Sequence, residues 1–255
     1  MQLIDTHTHI YLPQFDEDRD QAVGRAIKNN VVKLLMPNID ADSVHDMITV
    51  ENRFPGICYS MIGLHPTSVK EDFEGQLEEM ENMTLNHRFY AVGEIGIDLY
   101  WDKSHLEEQI KAFNHQIEFA LEKELPIVIH ARDSFSEIFK IIDYYIGSGL
   151  RGVFHAFSGS SDDAKTVIGM GLKLGIGGVV TFKNSGLDGI VKEAGIENII
   201  LETDSPYLAP VPYRGKRNES SYLSIINEKV AGILELSNEE TARITYNNSV
   251  QLFGL

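Results

Sequence analysis

Short runs rich in Val, Ile and Leu recur along the chain, near 2–6, 31–36, 57–63, 89–95, 126–130, 152–156, 173–177 and 198–202. Each has the length and β-branched content of a strand buried on both faces. Between them, apolar positions return every three or four residues, the period of a helix with one buried side. Such segments run from Asp16 to Asn29, Lys103 to Lys123, Ser134 to Ile146 and Ser160 to Met170. Two more close the chain, near 219–235 and 238–252. Asp102 or Ser104 is placed to cap the long central helix. Ser237 with Glu240 fits a capping box for the last one.

Strand–helix alternation implies a parallel sheet. Eight such units in 255 residues match a (β/α)₈ barrel, as one domain spanning residues 1–255. A doubly wound open sheet is the alternative. The Gly- and Pro-containing stretch 205–215 reads as a loop within the domain, after the eighth strand. No linker, charge block or low-complexity segment interrupts the pattern.

Hydrophobic residues make up 43% of the chain, enough for a large core. Lys and Arg number 22 against 38 Asp and Glu, a formal net charge of -16. Such a surface repels nucleic acid and anionic membranes at long range. That counts against a processive binder of long duplex DNA, but not against an enzyme that captures one phosphate locally. The single cysteine, Cys58, rules out an intrachain disulfide and a thiolate zinc cage. No basic segment followed by an apolar stretch opens the chain, and no run approaches the length of a membrane span. The expectation is a cytoplasmic protein, monomeric or a small homo-oligomer, with no membrane and no obligate protein partner.

The chemistry lies at the ends of the apolar runs. His7 and His9 follow the first run, and residues two apart on a strand share a face. Glu94 stands at the end of the fourth run, His130 of the fifth, His155 of the sixth and Asp204 of the eighth. In a barrel these strand ends converge on one rim. Imidazole with carboxylate suits ions such as Zn²⁺ or Mn²⁺ better than Ca²⁺. Six ligands exceed the three protein groups of a mononuclear catalytic zinc site. Two divalent ions per chain are therefore expected, as Zn²⁺, Mn²⁺ or Mg²⁺, with Glu94 placed to bridge. A pair of ions about 3.5–4 Å apart can hold the attacking and leaving oxygens of a displacement and make water nucleophilic near neutral pH. Asp204 is the expected general base. Arg132 can grip phosphate oxygens in a bidentate manner, and His65 can donate a further hydrogen bond. Lys183 and Arg217 sit on loops expected at the same face. Gly93 and Gly96 flank Glu94, as close backbone approach or a positive φ requires. Tyr100, Trp101, Tyr207 and Tyr213 are loop aromatics that could stack on a base or pack over the barrel mouth. His45, His87, His105 and His115 fall in helical or loop segments and read as surface or core residues.

A set of motifs runs in order through the chain: Thr6-His7-Thr8-His9, Gly63-Leu64-His65-Pro66, Gly93-Glu94-Ile95-Gly96-Ile97-Asp98, His130-Ala131-Arg132, His155-Ala156-Phe157-Ser158-Gly159 and Glu202-Thr203-Asp204-Ser205-Pro206. Together with Lys183-Asn184 and Arg214–Asn218 it resembles the TatD family of metal-dependent deoxyribonucleases, among the amidohydrolase-type barrels. The resemblance covers nearly the whole chain. It implies a (β/α)₈ barrel with two divalent metals that hydrolyses phosphodiesters from the 3′ end of DNA; the acidic surface in turn favours single-stranded or frayed ends, where one terminal phosphodiester can enter without the rest. By position, His7, His9, Glu94 and Asp204 would hold one metal, and Glu94, His130 and His155 the other. His65 and Glu202 match positions near the reacting phosphate or the metals. Ala156 stands where Cys is frequent, Ser220 where Pro is, and Thr67 where a further His is common.

Two other readings compete. One is a hydrolase on the same scaffold that cuts amides, lactones or other phosphoesters; there the bridging group is often a modified lysine, where this chain has Glu94. The other is a binding protein that kept the barrel, against which the complete ligand set speaks.

Overall fold

The computed structural model describes residues 1–255. Eight parallel strands alternate with helices: β1 (Leu3–Asp5), α1 (Arg19–Lys28), β2 (Val31–Pro37), α2 (Ser43–Arg53), β3 (Cys58–Met61), α3 (Phe73–Met83), β4 (Val92–Asp98), α4 (Leu106–Glu122) and β5 (Ile127–Arg132). They continue with α5 (Phe135–Asp143), β6 (Gly152–Phe154), α6 (Ser161–Gly169), β7 (Lys173–Ile176), α7 (Leu187–Ala194), β8 (Ile199–Leu201), α8 (Leu223–Leu234) and α9 (Asn238–Phe253).

The strands pair in sequence order as two sheets, β1-β2-β3 and β4 to β8. Two seams join them. At one, Ile62 donates to Ala91 at 3.1 Å and Gly93 donates to Ile62 at 2.8 Å. At the other, Thr6 donates to Leu201 at 3.2 Å, Asp204 to the His7 carbonyl at 2.9 Å and His9 to Ser205 at 2.7 Å. The second seam holds His7, His9 and Asp204 together through their own backbones.

A buried cluster takes Ile4, Leu35, Tyr59, Met61, Val128, Val153 and Ile200 from the strands, and Leu252 and Phe253 from α9. Ile4 precedes His7 on its strand, Val128 precedes His130, Val153 precedes His155, and Ile200 precedes Asp204. The strands are parallel, so α9 closes the end of the barrel opposite to these polar groups. A larger apolar core lies between strands and helices. On α4 it takes Ala112, Phe113, Ile117 and Ala120, spaced as one helical face. The same helix aims two buried amides at strand ends: Gln109 accepts from the Asp98 amide at 2.9 Å, and Gln116 from the Leu64 amide at 2.7 Å.

β4 departs from its expected bounds. It begins at Val92 and runs to Asp98, so Glu94 lies in its first half and not at its end. His130 is likewise within β5. Pairing explains the extension, because Gly96, Ile97 and Asp98 register with His130, Ala131 and Arg132. Polar side chains there point into an enclosed space, so the ladder outlasts the apolar run. The caps differ too. Neither Asp102 nor Ser104 caps α4; His105 occupies that position, and Asp102 instead accepts from the Ser104 amide and hydroxyl. Ser237 does cap α9, through the Glu240 amide at 3.1 Å. No helix is long and apolar enough to cross a membrane.

Gly96 has φ +142°, and a Cβ there would lie 2.1 Å from the His130 carbonyl oxygen. Gly96→Ala is expected to destabilise the fold by at least about 2 kcal/mol, since the clash is with backbone and not with a mobile side chain. Denaturant unfolding of the purified variant measures it; a midpoint equal to wild type would show that β4 and β5 do not need this approach.

Candidate metal centre

The rim collects the candidate ligands around Glu94, which is 3% exposed. Its two carboxylate oxygens face different groups. Oε2 lies 3.2 Å from His7 Nε2 and 3.8 Å from His9 Nε2. Oε1 lies 2.6 Å from His155 Nε2, 2.9 Å from His130 Nδ1 and 3.4 Å from His65 Nε2. Asp204 Oδ1 joins the first group, 3.7 Å from His7 Nε2 and 3.5 Å from His9 Nε2. The two Nε2 atoms are themselves 3.2 Å apart.

These separations fit a cation. Four ligands at roughly 2.0–2.1 Å in tetrahedral array stand about 3.3–3.4 Å from one another, close to the 3.2–3.8 Å found around His7, His9, Glu94 and Asp204. The Nδ1 atoms of His7 and His155 are buried without a hydrogen-bond partner, while their Nε2 atoms face Glu94.

Neighbours decide which ring nitrogen is free. His9 Nδ1 lies 3.2 Å from the Tyr11 hydroxyl, which itself donates to the Pro37 carbonyl at 2.8 Å. The hydroxyl therefore accepts from Nδ1–H, and Nε2 presents its lone pair to the cluster. His130 Nε2 bonds Asp98 Oδ2 at 2.9 Å, which leaves Nδ1 for a metal in a carboxylate–histidine–metal relay. His65 is arranged the other way. Its Nδ1 accepts from the Thr67 amide at 3.1 Å, so a neutral ring carries its proton on Nε2. Though His65 stands within ligand distance of Glu94 and His130, it faces the cluster as a donor.

Electrostatics follow from enclosure. Burial alone would raise the Glu94 pKa, but the imidazoles of His155, His65 and His7 and the His130 bond hold it well below the usual range. Burial would depress His155, yet the Glu94 and Glu202 carboxylates hold it well above the histidine value. His130 is raised by Asp98 and Glu94 against the same burial penalty. Divalent cations compete with protons for these nitrogens, so metal affinity falls as the medium is acidified.

Three carboxylates support the cluster; Glu202 was expected near it, while Asp98 and Asp5 were not. Asp98 orients His130. Glu202, 1% exposed, accepts from the Ala156 amide at 2.5 Å and lies 3.6 Å from His155 Nδ1. Asp5 accepts from the Thr203 amide at 2.9 Å, the Thr203 hydroxyl at 2.6 Å and the His7 amide at 3.4 Å, tying the His7 and Asp204 segments together. Burial pushes the Asp5 carboxyl up to about 7 in spite of those bonds. The available signal was spacing: Asp5 shares the strand face of His7, and Asp98 that of Glu94.

The centre opens into a cavity of about 630 Å³ lined by His9, His65, Glu94, His130, His155 and Asp204, with Arg132, Trp101 and Tyr207 at its mouth. Arg132 makes no ion pair, and its guanidinium lies 3.8 Å from the Tyr100 ring centroid. Lys183 is exposed and does not line this cavity. Arg217 does not line it either: it is paired with Asp18 at 2.7 and 2.8 Å and lies over Phe15. That partner is 199 residues distant in sequence, so no local pattern disclosed it. Tyr213 stacks on Tyr222. His45, His87, His105 and His115 stand apart from the cluster.

The family model described as "TatD related DNase" matches residues 4–254. An uncharacterized metal-dependent hydrolase, YabD, of Bacillus subtilis (strain 168) is 34% identical over 254 residues, covering 99% of each chain. A 3′-5′ ssDNA/RNA exonuclease TatD of Erwinia billingiae (strain Eb661) is 29% identical over 259 residues, again covering 99% of each. The crystal structure of the TatD homologue YjjV from Escherichia coli K12 superposes with a TM-score of 0.93 at 25% identity, covering 99% of this chain and 98% of that one.

Asp98→Asn is expected to weaken metal binding about 10–100-fold, the usual effect of losing such a carboxylate partner. Competition against a chelator measures it, and a melting temperature taken in excess chelator checks that the fold persists. Unchanged affinity would mean that His130 needs no orienting partner.

Proposed function

The chain belongs to the family of TatD-related DNases, metal-dependent hydrolases that act on ester bonds, and from that premise we propose that it is a two-metal phosphodiesterase that removes nucleotides from the 3′ end of single-stranded or frayed DNA. The observation that carries this reading is the division of Glu94: one oxygen toward His7 and His9, the other toward His130 and His155. A pair of divalent cations so held would supply activated water and balance the charge of the displaced oxygen.

The chain's own residues do the rest. His7, His9, Glu94 and Asp204 would hold one cation, and Glu94, His130 and His155 the other. Asp204 is the proton acceptor. Its side chain is 14% exposed, against 3% for Glu94 and 2% for Asp98, so of these carboxylates it is the most open to the cavity. Burial would raise its pKa, but His9 and His7 outweigh burial and keep it ionised. His65, fixed as an Nε2–H donor, bonds a phosphate oxygen. Arg132, without an acid partner, takes another in a charge-assisted bond. Glu202 steadies the loop after His155. No lysine lines the cavity, which speaks against a modified-lysine bridge and the amide or lactone chemistry associated with it.

Chelated protein reloaded with Mg²⁺, Mn²⁺ or Zn²⁺ is expected to release terminal nucleotides first from a 3′-labelled single strand. Asp204→Asn should lower kcat about 10²–10⁴-fold, the worth of a general base, with the melting temperature little changed. A wild type inert toward every such strand would overturn the nuclease reading. A variant retaining half of wild-type kcat would remove Asp204 from the base role.

A further inference from the structure

Beside the metal cavity lies a second chamber of about 480 Å³, lined by Tyr100, Arg132, Asp133, Ser158, Ser160 and Asp163. Arg132 and Ser158 line both spaces, so the two are continuous past the Arg132 side chain. At their junction stands a platform. The Arg132 guanidinium lies 3.8 Å from the Tyr100 centroid and 5.3 Å from that of Trp101, and the two rings meet edge to face with centroids 5.0 Å apart. The rings are not a packed lid: Trp101 is 70% exposed and Tyr100 54%.

The platform is held in place. Asp98 Oδ1 accepts from the Tyr100 amide at 2.9 Å and the Trp101 amide at 3.2 Å, while Oδ2 of the same carboxylate bonds His130. One side chain therefore fixes the distance from the aromatic pair to the metal ligands. In a protein of net charge -16, an unpaired arginine backed by an aromatic face beside a hydrolytic centre has the chemistry of a nucleotide site: a cation for phosphate and π faces for a base. Asp163 is committed to capping α6, where it accepts from the Ser160 amide and hydroxyl; its charge and that of Asp133 in the lining repel a second phosphate, so the chamber suits a base and not a continuing backbone.

We propose that this chamber binds a nucleotide flanking the scissile phosphodiester, its base on the Tyr100–Trp101 platform and its phosphate on Arg132. The proposal rests on the phosphodiesterase reading above and adds to it a base-recognising subsite. It makes the platform a determinant of substrate affinity that has no part in proton transfer.

Trp101 is the sole tryptophan, so its fluorescence reports the site directly. The probe is an uncleavable phosphorothioate trinucleotide, compared with strands lacking the base at one or the other nucleotide flanking the scissile bond. The intact strand is expected to quench Trp101 in the metal-loaded protein, and one of the two abasic strands to lose that quench. With cleavable strands, loss of that base should raise the wild-type KM about 5- to 100-fold, the range expected for one stacked base. In a Tyr100→Ala/Trp101→Ala double variant it should raise KM no further, and Trp101→Phe should restore most of the difference. A platform that merely supports the loop would shift KM equally for intact and abasic strands. That result, or quenching indifferent to both bases in a protein that does cleave DNA, overturns the subsite and leaves the nuclease reading standing. A wild type that cleaves no strand overturns both.

Discussion

Everything at the rim depends on enclosing the Glu94 carboxylate. An ion taken out of water loses several kcal/mol of solvation unless its partners replace it. The replacements are imidazole nitrogens carried by β5 and by the segments that follow β1, β3 and β6. No single strand could supply them, so the carboxylate is stable only when the barrel has brought its strand ends together. The converse also holds. Those imidazoles crowd within 3.2–3.5 Å of one another, an arrangement that free rings would avoid if all were protonated. Cations that bind this set in the native state alone stabilise the fold by mass action, so the site and the architecture support each other.

Supports of the cluster reach outward in a consistent way. Asp98 orients His130 on one side and anchors the Tyr100–Trp101 turn on the other. Gln109 of α4 holds the Asp98 backbone. Asp5 ties the segment after β1 to that after β8, where Asp204 takes φ 56°, a left-handed conformation that Asp tolerates better than most residues. Buried carboxylates at the strand ends thus constrain candidate ligands on the same or a neighbouring strand.

The alternation of apolar runs and helical segments made the eight strands legible, because strands buried on both faces leave uninterrupted Val, Ile and Leu. It misplaced β4, where Gly96 and Asp98 continue the ladder with residues that no apolar pattern marks as strand. The ligands were legible because each stands at or just past such a run. Asp98 and Asp5 were not, although each shares a strand face with a ligand. Arg217 was misplaced toward the substrate because its loop was visible in the chain and its partner Asp18 was not. The role of His65 turns on one amide, that of Thr67, whose bond to Nδ1 makes the ring a donor. Burial and charge also account for the economy of cations: with so acidic a surface, only an arginine free of ion pairs is available to an anion at the mouth, and Arg132 is that residue.

The central claim is that Glu94 serves two cations at once. Metal content of the Glu94→Gln variant, counted per chain by mass spectrometry after exchange into a metal-buffered solution, tests it most directly. A shared carboxylate should give about two divalent ions per wild-type chain and a joint loss of affinity at both positions in the variant. One ion per wild-type chain, or a variant that keeps one ion at undiminished affinity, would contradict it.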